Sequence, residues 1–179
     1  TGSGITPDTS QSLIGRYTQH NTSRLNLLLG YRQMGLLRVT GFDAIEGVQD
    51  VRRGFQISGL IGKGFHLGDD DERDYFFSGD IYFGAGSSHS FVAFETTGER
   101  RRDTDLHRWD GVLGSGRAAW YLKPRDRETL ITSFEFSGGW RQRVPFQLSF
   151  ADRNGGLRGY HDSHLAGGRR IVLRLEDRY

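Results

Sequence analysis

The chain has 179 residues, of which 26 are glycine and 12% are aromatic, and it contains no cysteine. Lysine plus arginine (24) nearly balance aspartate plus glutamate (22), so a formal net charge of +2 offers no basic face for nucleic acid. The lack of cysteine excludes disulfides and thiolate metal sites, and no run approaches the ~18 apolar residues of a membrane-spanning helix.

Residues 1–22 are small, polar and unpatterned, and we predict an irregular lead or a weak first strand there. From residue 23 onward apolar and polar residues alternate with a period of two, which predicts half-buried antiparallel strands. We count about eight strands, many near the ~9–11 residues that a tilted strand needs to cross a bilayer. The runs are 24–32, 37–39 (a second strand or a bent extension around Gly35), 55–61, 77–83, a mixed run 89–99, 112–122, 130–140 and 171–175. The predicted class is all-β, an antiparallel meander.

The alternation leaves open what the apolar face contacts. A soluble antiparallel sheet with one solvated face shows the same pattern as a membrane barrel. Two features favour lipid. Full charges occupy the opposite face inside predicted strands (Asp80, Arg117, Glu135, Arg174), as in a wet lumen. Aromatic residues cluster at predicted strand ends, as in the interfacial girdles of membrane barrels: Tyr31, Phe42, Phe65, residues 75–77, Trp109, Trp140 and Tyr179.

The sequence offers little support for an enzyme. No Gly-x-Ser-x-Gly segment is present, and the histidines are not grouped at metal-ligand spacings. We therefore expect no catalytic residue, metal or cofactor. The acidic run 69–72 and the basic run 100–102 are predicted to be solvated turns, and the basic run could also contact anionic lipopolysaccharide.

Residues 155–160 place Arg158 between glycines in a long loop that leads into a strand. Glycine permits a close backbone approach, and arginine presents a rigid fork of donors suited to one acidic partner. The segment Leu157-Arg158-Gly159-Tyr160 resembles the signature of the bacterial surface antigen superfamily of outer-membrane β-barrels, which includes the barrel-assembly insertase and the two-partner secretion transporters. The strand that starts at Gly167 and Gly168 is similar to the strand after that loop, and residues 42–55 are similar to an earlier strand-turn-strand segment.

The resemblance implies that the loop folds back into the lumen and that its arginine contacts an acidic residue of the inner wall. Arg158 would then be the latch, Gly156 and Gly159 would allow the close approach, and Tyr160 would pack the tip of the loop. The candidate acidic partners within the chain are Glu176 and then Glu135. The family barrel has more strands than are readable here, so we expect only a portion of it, without its last strands or its periplasmic repeats.

The predicted organisation is a lead at 1–22 and a partial outer-membrane β-barrel at 23–179, with the motif-bearing loop at 141–168. By resemblance it assists insertion or translocation of polypeptides in the bacterial outer membrane. Its partners would be outer-membrane lipid, polypeptide clients and accessory envelope proteins. Two alternatives stay open. One is a barrel anchor or pore for a fused enzyme or lipid-handling module; the other is a soluble β-sandwich or small barrel that binds a ligand.

Overall fold

The computed structural model of the chain describes residues 22–43, 47–65, 73–105, 107–142, 148–149 and 166–179. These residues confirm the predicted all-β class. Among them no helix is long and apolar enough to cross a membrane. The strands are β1 (Ser23–Thr40), β2 (Val48–Phe65), β3 (Asp74–Gly86), β4 (Ser90–Asp103), β5 (Trp109–Arg125), β6 (Glu128–Trp140), β7 (Leu148–Ser149), β8 (Ala166–Gly167) and β9 (Arg169–Arg178).

The long strands form one 7-stranded sheet in the order β1-β2-β3-β4-β5-β6-β9, and all neighbours are antiparallel. This is the predicted meander. The sheet is not closed, because β1 and β9 form its two edges. The short strands β7 and β8 lie between β6 and β9 in the sequence, and they pair with each other in a separate 2-stranded sheet.

At the strand level, one open alternative is decided and one sequence prediction is wrong. Residues 37–39 are an extension of the first strand around Gly35 and not a second strand, because β1 continues through Gly35 to Thr40 and pairs with β2 along its whole length. The basic run 100–102 is not a turn, because it lies in β4, where Arg102 pairs with Tyr75 of β3. Alternation along β4 therefore sends Arg100 and Arg102 to one face of the sheet and Arg101 to the other.

The two ends of the sheet differ in the total length of their connections. At one end, which we call the short-turn end, the strands are joined by residues 41–47, 87–89 and 126–127. At the other, the long-loop end, they are joined by residues 66–73, 104–108 and 141–168. The predicted motif-bearing loop belongs to the long-loop end.

The β1–β2 hairpin extends past the rest of the sheet at the short-turn end. Pairing between β2 and β3 stops at Gly54, which has a φ of 136°. A side chain there would place its Cβ 2.1 Å from the carbonyl oxygen of Gln33, so the close approach requires glycine. Beyond Gly54 the hairpin leaves β3, and its Leu37 and Val51 pack against a core that includes Phe91 of β4.

Candidate functional site

One face of the sheet, which we call the apolar face, carries exposed hydrophobic side chains on every long strand. The register places them side by side, with Ile57 beside Ile81 and Phe83 beside Phe94. Phe83 in the middle of the sheet is 45% exposed, and Leu173 on β9 is 65% exposed. Among the described residues more large apolar side chains are exposed than buried. A hydrophobic area of this extent is typical of a surface that contacts a membrane or a protein partner.

Ionisable side chains on the apolar face lie near its margins. On β4 the uncharged part of this face runs from Val92 near the short-turn end to Gly98, and Arg100 and Arg102 follow it toward the long-loop end. At ~3.4 Å per residue this part is ~20 Å long, or ~16 Å along the axis of a barrel whose strands tilt by ~40°. The apolar band of membrane barrels is ~25 Å tall, so the uncharged part of β4 is shorter than that band.

Tryptophans lie toward both margins of the apolar face. Trp120 is near the short-turn end, where its indole N–H donates to Ser90 Oγ at 3.1 Å, and it is 46% exposed. Trp109 and Trp140 are near the long-loop end, where they lie under arginine side chains. This distribution matches the paired aromatic girdles of membrane barrels.

A row of glycines crosses the apolar face between the aromatic margin at the long-loop end and the apolar rows. Five neighbouring strands contribute one glycine each in direct register: Gly59, Gly79, Gly98, Gly114 and Gly138. The row leaves a shallow transverse depression, because no side chain projects from these positions on β2 to β6.

The opposite face, which we call the polar face, is lined by hydrogen-bonded polar side chains. Asp80 of β3 accepts hydrogen bonds from the Ser58 hydroxyl and, at 3.2 Å, from the Gln56 amide. Thr97 and Ser115 continue the same row across β4 and β5, with hydroxyl oxygens 3.0 Å apart. The predicted assignment of charged and polar residues to one face is therefore confirmed by the register.

The two predicted acidic partners lie on the polar face, and each forms an ion pair within the sheet. Glu135 of β6 accepts a hydrogen bond from Arg174 of β9 and lies 3.5 Å from the guanidinium of Arg117. Its side chain is 15% exposed. Glu176 of β9 pairs with Arg178 at 2.7 Å. Both carboxylates are thus held in place on the polar face at the β6–β9 edge of the sheet.

The tip of the β1–β2 hairpin crosses the polar face at the short-turn end. Phe42 is completely buried and stacks on Tyr121 of β5 with ring centroids 4.7 Å apart. The Tyr121 hydroxyl donates to Asp43 at 2.8 Å, and Arg178 of β9 donates to the Phe42 carbonyl at 2.7 Å. Because the tip contacts β5 and β9 together, the sheet curves around its polar face. Phe42 is therefore not part of an interfacial girdle, contrary to the sequence prediction.

An open cavity of ≈ 540 Å³ lies over the middle of the sheet, with Ser58, Asp80 and Ser115 of the polar face among its lining residues. Leu148 of β7 also lines it, together with Leu28 of β1. Leu148 is the residue inside the β6–β9 connection, away from its ends, whose side chain is described, and it places this part of the connection beside the polar face.

A buried carboxylate joins three strands at the long-loop end of the sheet. Asp74 of β3 is 1% exposed and contacts Arg24 of β1 at 2.7 Å and Arg101 of β4 at 3.1 Å. Two arginines compensate the buried charge, so the Asp74 carboxylate is not available as a free site. In the described part of the chain no group of three or more potential metal ligands is found.

The motif on which the family resemblance rests, Gly156 to Tyr160 with Arg158, lies outside the described residues. The two glycines predicted to start the next strand, Gly167 and Gly168, are described. Gly167 pairs with Leu148 between β8 and β7, and the Gly168 carbonyl accepts a hydrogen bond from the Gly139 amide at 2.9 Å. The predicted Gly-Gly start therefore directly precedes β9. Contact between Arg158 and either glutamate stays a prediction.

No family model, curated protein or solved structure matches this chain. The resemblance to the surface antigen superfamily therefore rests on its sequence motifs alone. The fold itself defines a class: a curved, antiparallel, all-β sheet with an exposed apolar face and an ion-paired polar face.

Proposed function

We propose that the chain is a portion of an outer-membrane β-barrel that assists insertion or translocation of polypeptides. The observation that carries the membrane location is the apolar face, which has exposed hydrophobic side chains on all seven long strands. In water this face would be costly, since each buried CH₂ gains ~0.8 kcal/mol on leaving water. In a bilayer it contacts acyl chains.

The polar face supports a water-filled interior. Paired groups such as Glu135 with Arg174 and Asp80 with Ser58 suit a lumen wall, where each charge keeps a partner. The curvature around this face, set by the hairpin tip on Tyr121 and Arg178, matches the wall of a barrel. Further strands at the β1 and β9 edges would close it, since lipid tolerates no unpaired sheet edge.

The polypeptide-handling role rests on the resemblance of Leu157-Arg158-Gly159-Tyr160 to the superfamily signature. Leu148 adds support, because it brings the connection that contains this motif to the cavity on the polar face. Arg158 from that connection would reach a carboxylate of the wall and hold the loop inside the lumen. A charge-assisted pair in a partly dehydrated site is stronger than a surface pair.

The membrane location is tested by quenching of tryptophan fluorescence with brominated lipid. The full-length protein carrying W109F and W140F, so that Trp120 is the reporter within this segment, is reconstituted in phosphatidylcholine vesicles with brominated acyl chains. Tryptophans elsewhere in the protein, if any, are replaced by phenylalanine. We expect strong quenching, because Trp120 projects from the apolar face. A ligand-binding soluble sandwich would instead give a monomer in detergent-free buffer with no quenching.

The latch is tested in the same full-length protein with Arg158→Ala, Arg158→Lys and Arg127→Ala. Arg127 lies in the short β5–β6 turn and serves as a charge-matched control. We expect Arg158→Ala to lower insertion or secretion of a client about tenfold or more, since one charged hydrogen bond is worth ~1.5–3 kcal/mol. Lysine should restore little, because it lacks the planar fork. Full activity of Arg158→Ala would eliminate the latch.

A further inference from the structure

A compact cluster of cations and aromatic rings lies on the apolar face at its long-loop margin, and we call it the basic–aromatic cluster. The register places Lys63, Tyr75, Arg102 and Trp109 in one row across β2 to β5. Phe77 and Arg100 lie side by side in the next row. The cluster thus occupies four adjacent strands where the hydrophobic area ends.

The aromatic rings hold the cations in place. The Arg100 guanidinium lies 4.3 Å from the centroid of the Trp109 ring and 5.5 Å from that of Phe77, and the two rings are 5.8 Å apart. Arg102 lies 5.7 Å from the Trp109 ring. Lys63 is 5.9 Å from the ring of Tyr75. Each contact uses a cation–π attraction, which leaves the N–H donors at the edges of each guanidinium available.

The charges of the cluster are not neutralised within the described residues. The ion pairs found there include none with Lys63, Arg100 or Arg102. Arg101, in the same basic run, pairs with Asp74 on the polar face. The alternation of β4 therefore separates Arg101, which is paired with Asp74, from Arg100 and Arg102, which lie on the other face and have no ion pair among the described residues.

The position of the basic–aromatic cluster at the margin of the apolar face indicates which class of ligand it would bind. In bacterial barrels short turns face the periplasm and long loops face outward, so in the proposed barrel the long-loop end would lie at the outer leaflet. Cations just beyond an apolar band meet the headgroup layer, where phosphate oxygens are the available anions. Guanidinium groups bind phosphate through paired, charge-assisted hydrogen bonds.

We propose that Lys63, Arg100 and Arg102 bind the phosphate groups of anionic lipids at the outer margin of the apolar face, with Trp109 as their platform. This inference rests on the membrane location in the proposed function. It adds a lipid headgroup class as a specific partner of that surface.

The experiment compares anionic with neutral brominated lipid at two tryptophans of the full-length protein. Vesicles contain phosphatidylcholine with either brominated phosphatidic acid or brominated phosphatidylcholine. One reporter form keeps Trp109 (W120F and W140F) and the other keeps Trp120 (W109F and W140F), again without tryptophans elsewhere. Because W109F also removes the platform of the cluster, the second form tests only for a general charge effect. At Trp109 we expect roughly tenfold selectivity for phosphatidic acid, and at Trp120 we expect none.

The substitutions that test the cluster are K63Q, R100Q and R102Q together. The matched control is R38Q, R125Q and R127Q, which removes the same charge from exposed positions near the short-turn end. The first variant should lose the selectivity at Trp109, and the control should keep it. Quenching by brominated phosphatidylcholine in every variant shows that the protein is folded and inserted.

Three outcomes overturn the proposal, and they differ from failure of the membrane location. Unchanged selectivity in the K63Q, R100Q and R102Q variant would show that these cations do not bind lipid. Equal selectivity at Trp109 and Trp120 would indicate a general charge effect. No selectivity at Trp109 in the unsubstituted cluster would remove the lipid site while leaving the membrane location intact. Absence of quenching by both lipids would instead contradict the proposed function itself.

Discussion

Truncation of Phe42 tests whether the hairpin tip packs on the polar face. Phe42 is fully buried, stacks on Tyr121 at 4.7 Å with an interplanar angle of 13°, and lies 6.2 Å from the ring of Phe91. Replacing a buried phenylalanine by alanine lowers the free energy of unfolding by ~3–5 kcal/mol. We expect about 3 kcal/mol for Phe42→Ala, the lower end of that range, because a hairpin tip can relax toward the space left behind.

The assay is urea unfolding of the full-length protein in detergent micelles, followed by tryptophan fluorescence. The tryptophans of this segment lie on the apolar face, so the substitution does not alter their direct surroundings. Phe83→Ala is the control, because Phe83 is 45% exposed on the apolar face and its loss leaves no cavity between protein groups. Because detergent covers its exposed part and no cavity is left, it should cost roughly 1.5–2 kcal/mol, which is the loss of transfer from water alone. A loss for Phe42→Ala no larger than that of Phe83→Ala would refute the packing of the tip.

Two further substitutions test the polar face and the hairpin bend. Glu135→Gln should lower the free energy of unfolding by about 1–3 kcal/mol, because Arg174 loses a charged acceptor. Glu128→Gln is the control, and it should cost under ~1 kcal/mol because its partner Arg125 is exposed. Equal losses in urea titrations would argue against a stabilising ion pair between Glu135 and Arg174. Gly54→Ala should lower the free energy of unfolding by ~1–3 kcal/mol through backbone strain. Gly59→Ala is the control, because the nearest atom to a new Cβ there is 3.7 Å away. It should change the free energy of unfolding by under ~1 kcal/mol. Similar values for the two glycines would mean that the bend at Gly54 is not strained.

The face of each strand could be predicted from the sequence because it follows from local alternation. The apolar residues of 24–32 and 77–83 were placed on one face by the period of two, and the register brings Ile57 and Ile81 together on it. Asp80, Arg117 and Glu135 were likewise placed on the opposite face. These assignments need no knowledge of which strands are neighbours, since the side-chain period belongs to each strand alone.

The features that depend on register or on a backbone bend were missed. The glycine row appears only when five strands are aligned, and no single strand contains a signal for it. Phe42 was assigned to a girdle because it follows a strand, but the hairpin beyond Gly54 turns it onto Tyr121. Gly54 itself was the available clue, since an isolated glycine within a strand pattern indicates a bulge or a close backbone approach.

Of the basic–aromatic cluster, the sequence indicated the charges of the run 100–102 but not the aromatic rings beside them. The run 100–102 suggested contact with anionic lipopolysaccharide, yet it was predicted to be a solvated turn. The strand became clear only through pairing with Tyr75 and Trp109, which supply rings for the cations on one face. Composition can reveal such charges, but only a register shows which of them share a surface.

The contact between the hairpin tip and Arg178 has a consequence for the order of folding. From β1 to β6 each strand pairs with its neighbour in sequence, so these strands can join one after another with short loop closures. The hydrogen bond from Arg178 to the Phe42 carbonyl instead joins residues separated by 136 positions, and it cannot form before β9 has docked on β6. The contacts of the tip with Tyr121 can form once β5 is in place, whereas its contact with Arg178 should be a late event that requires all seven strands.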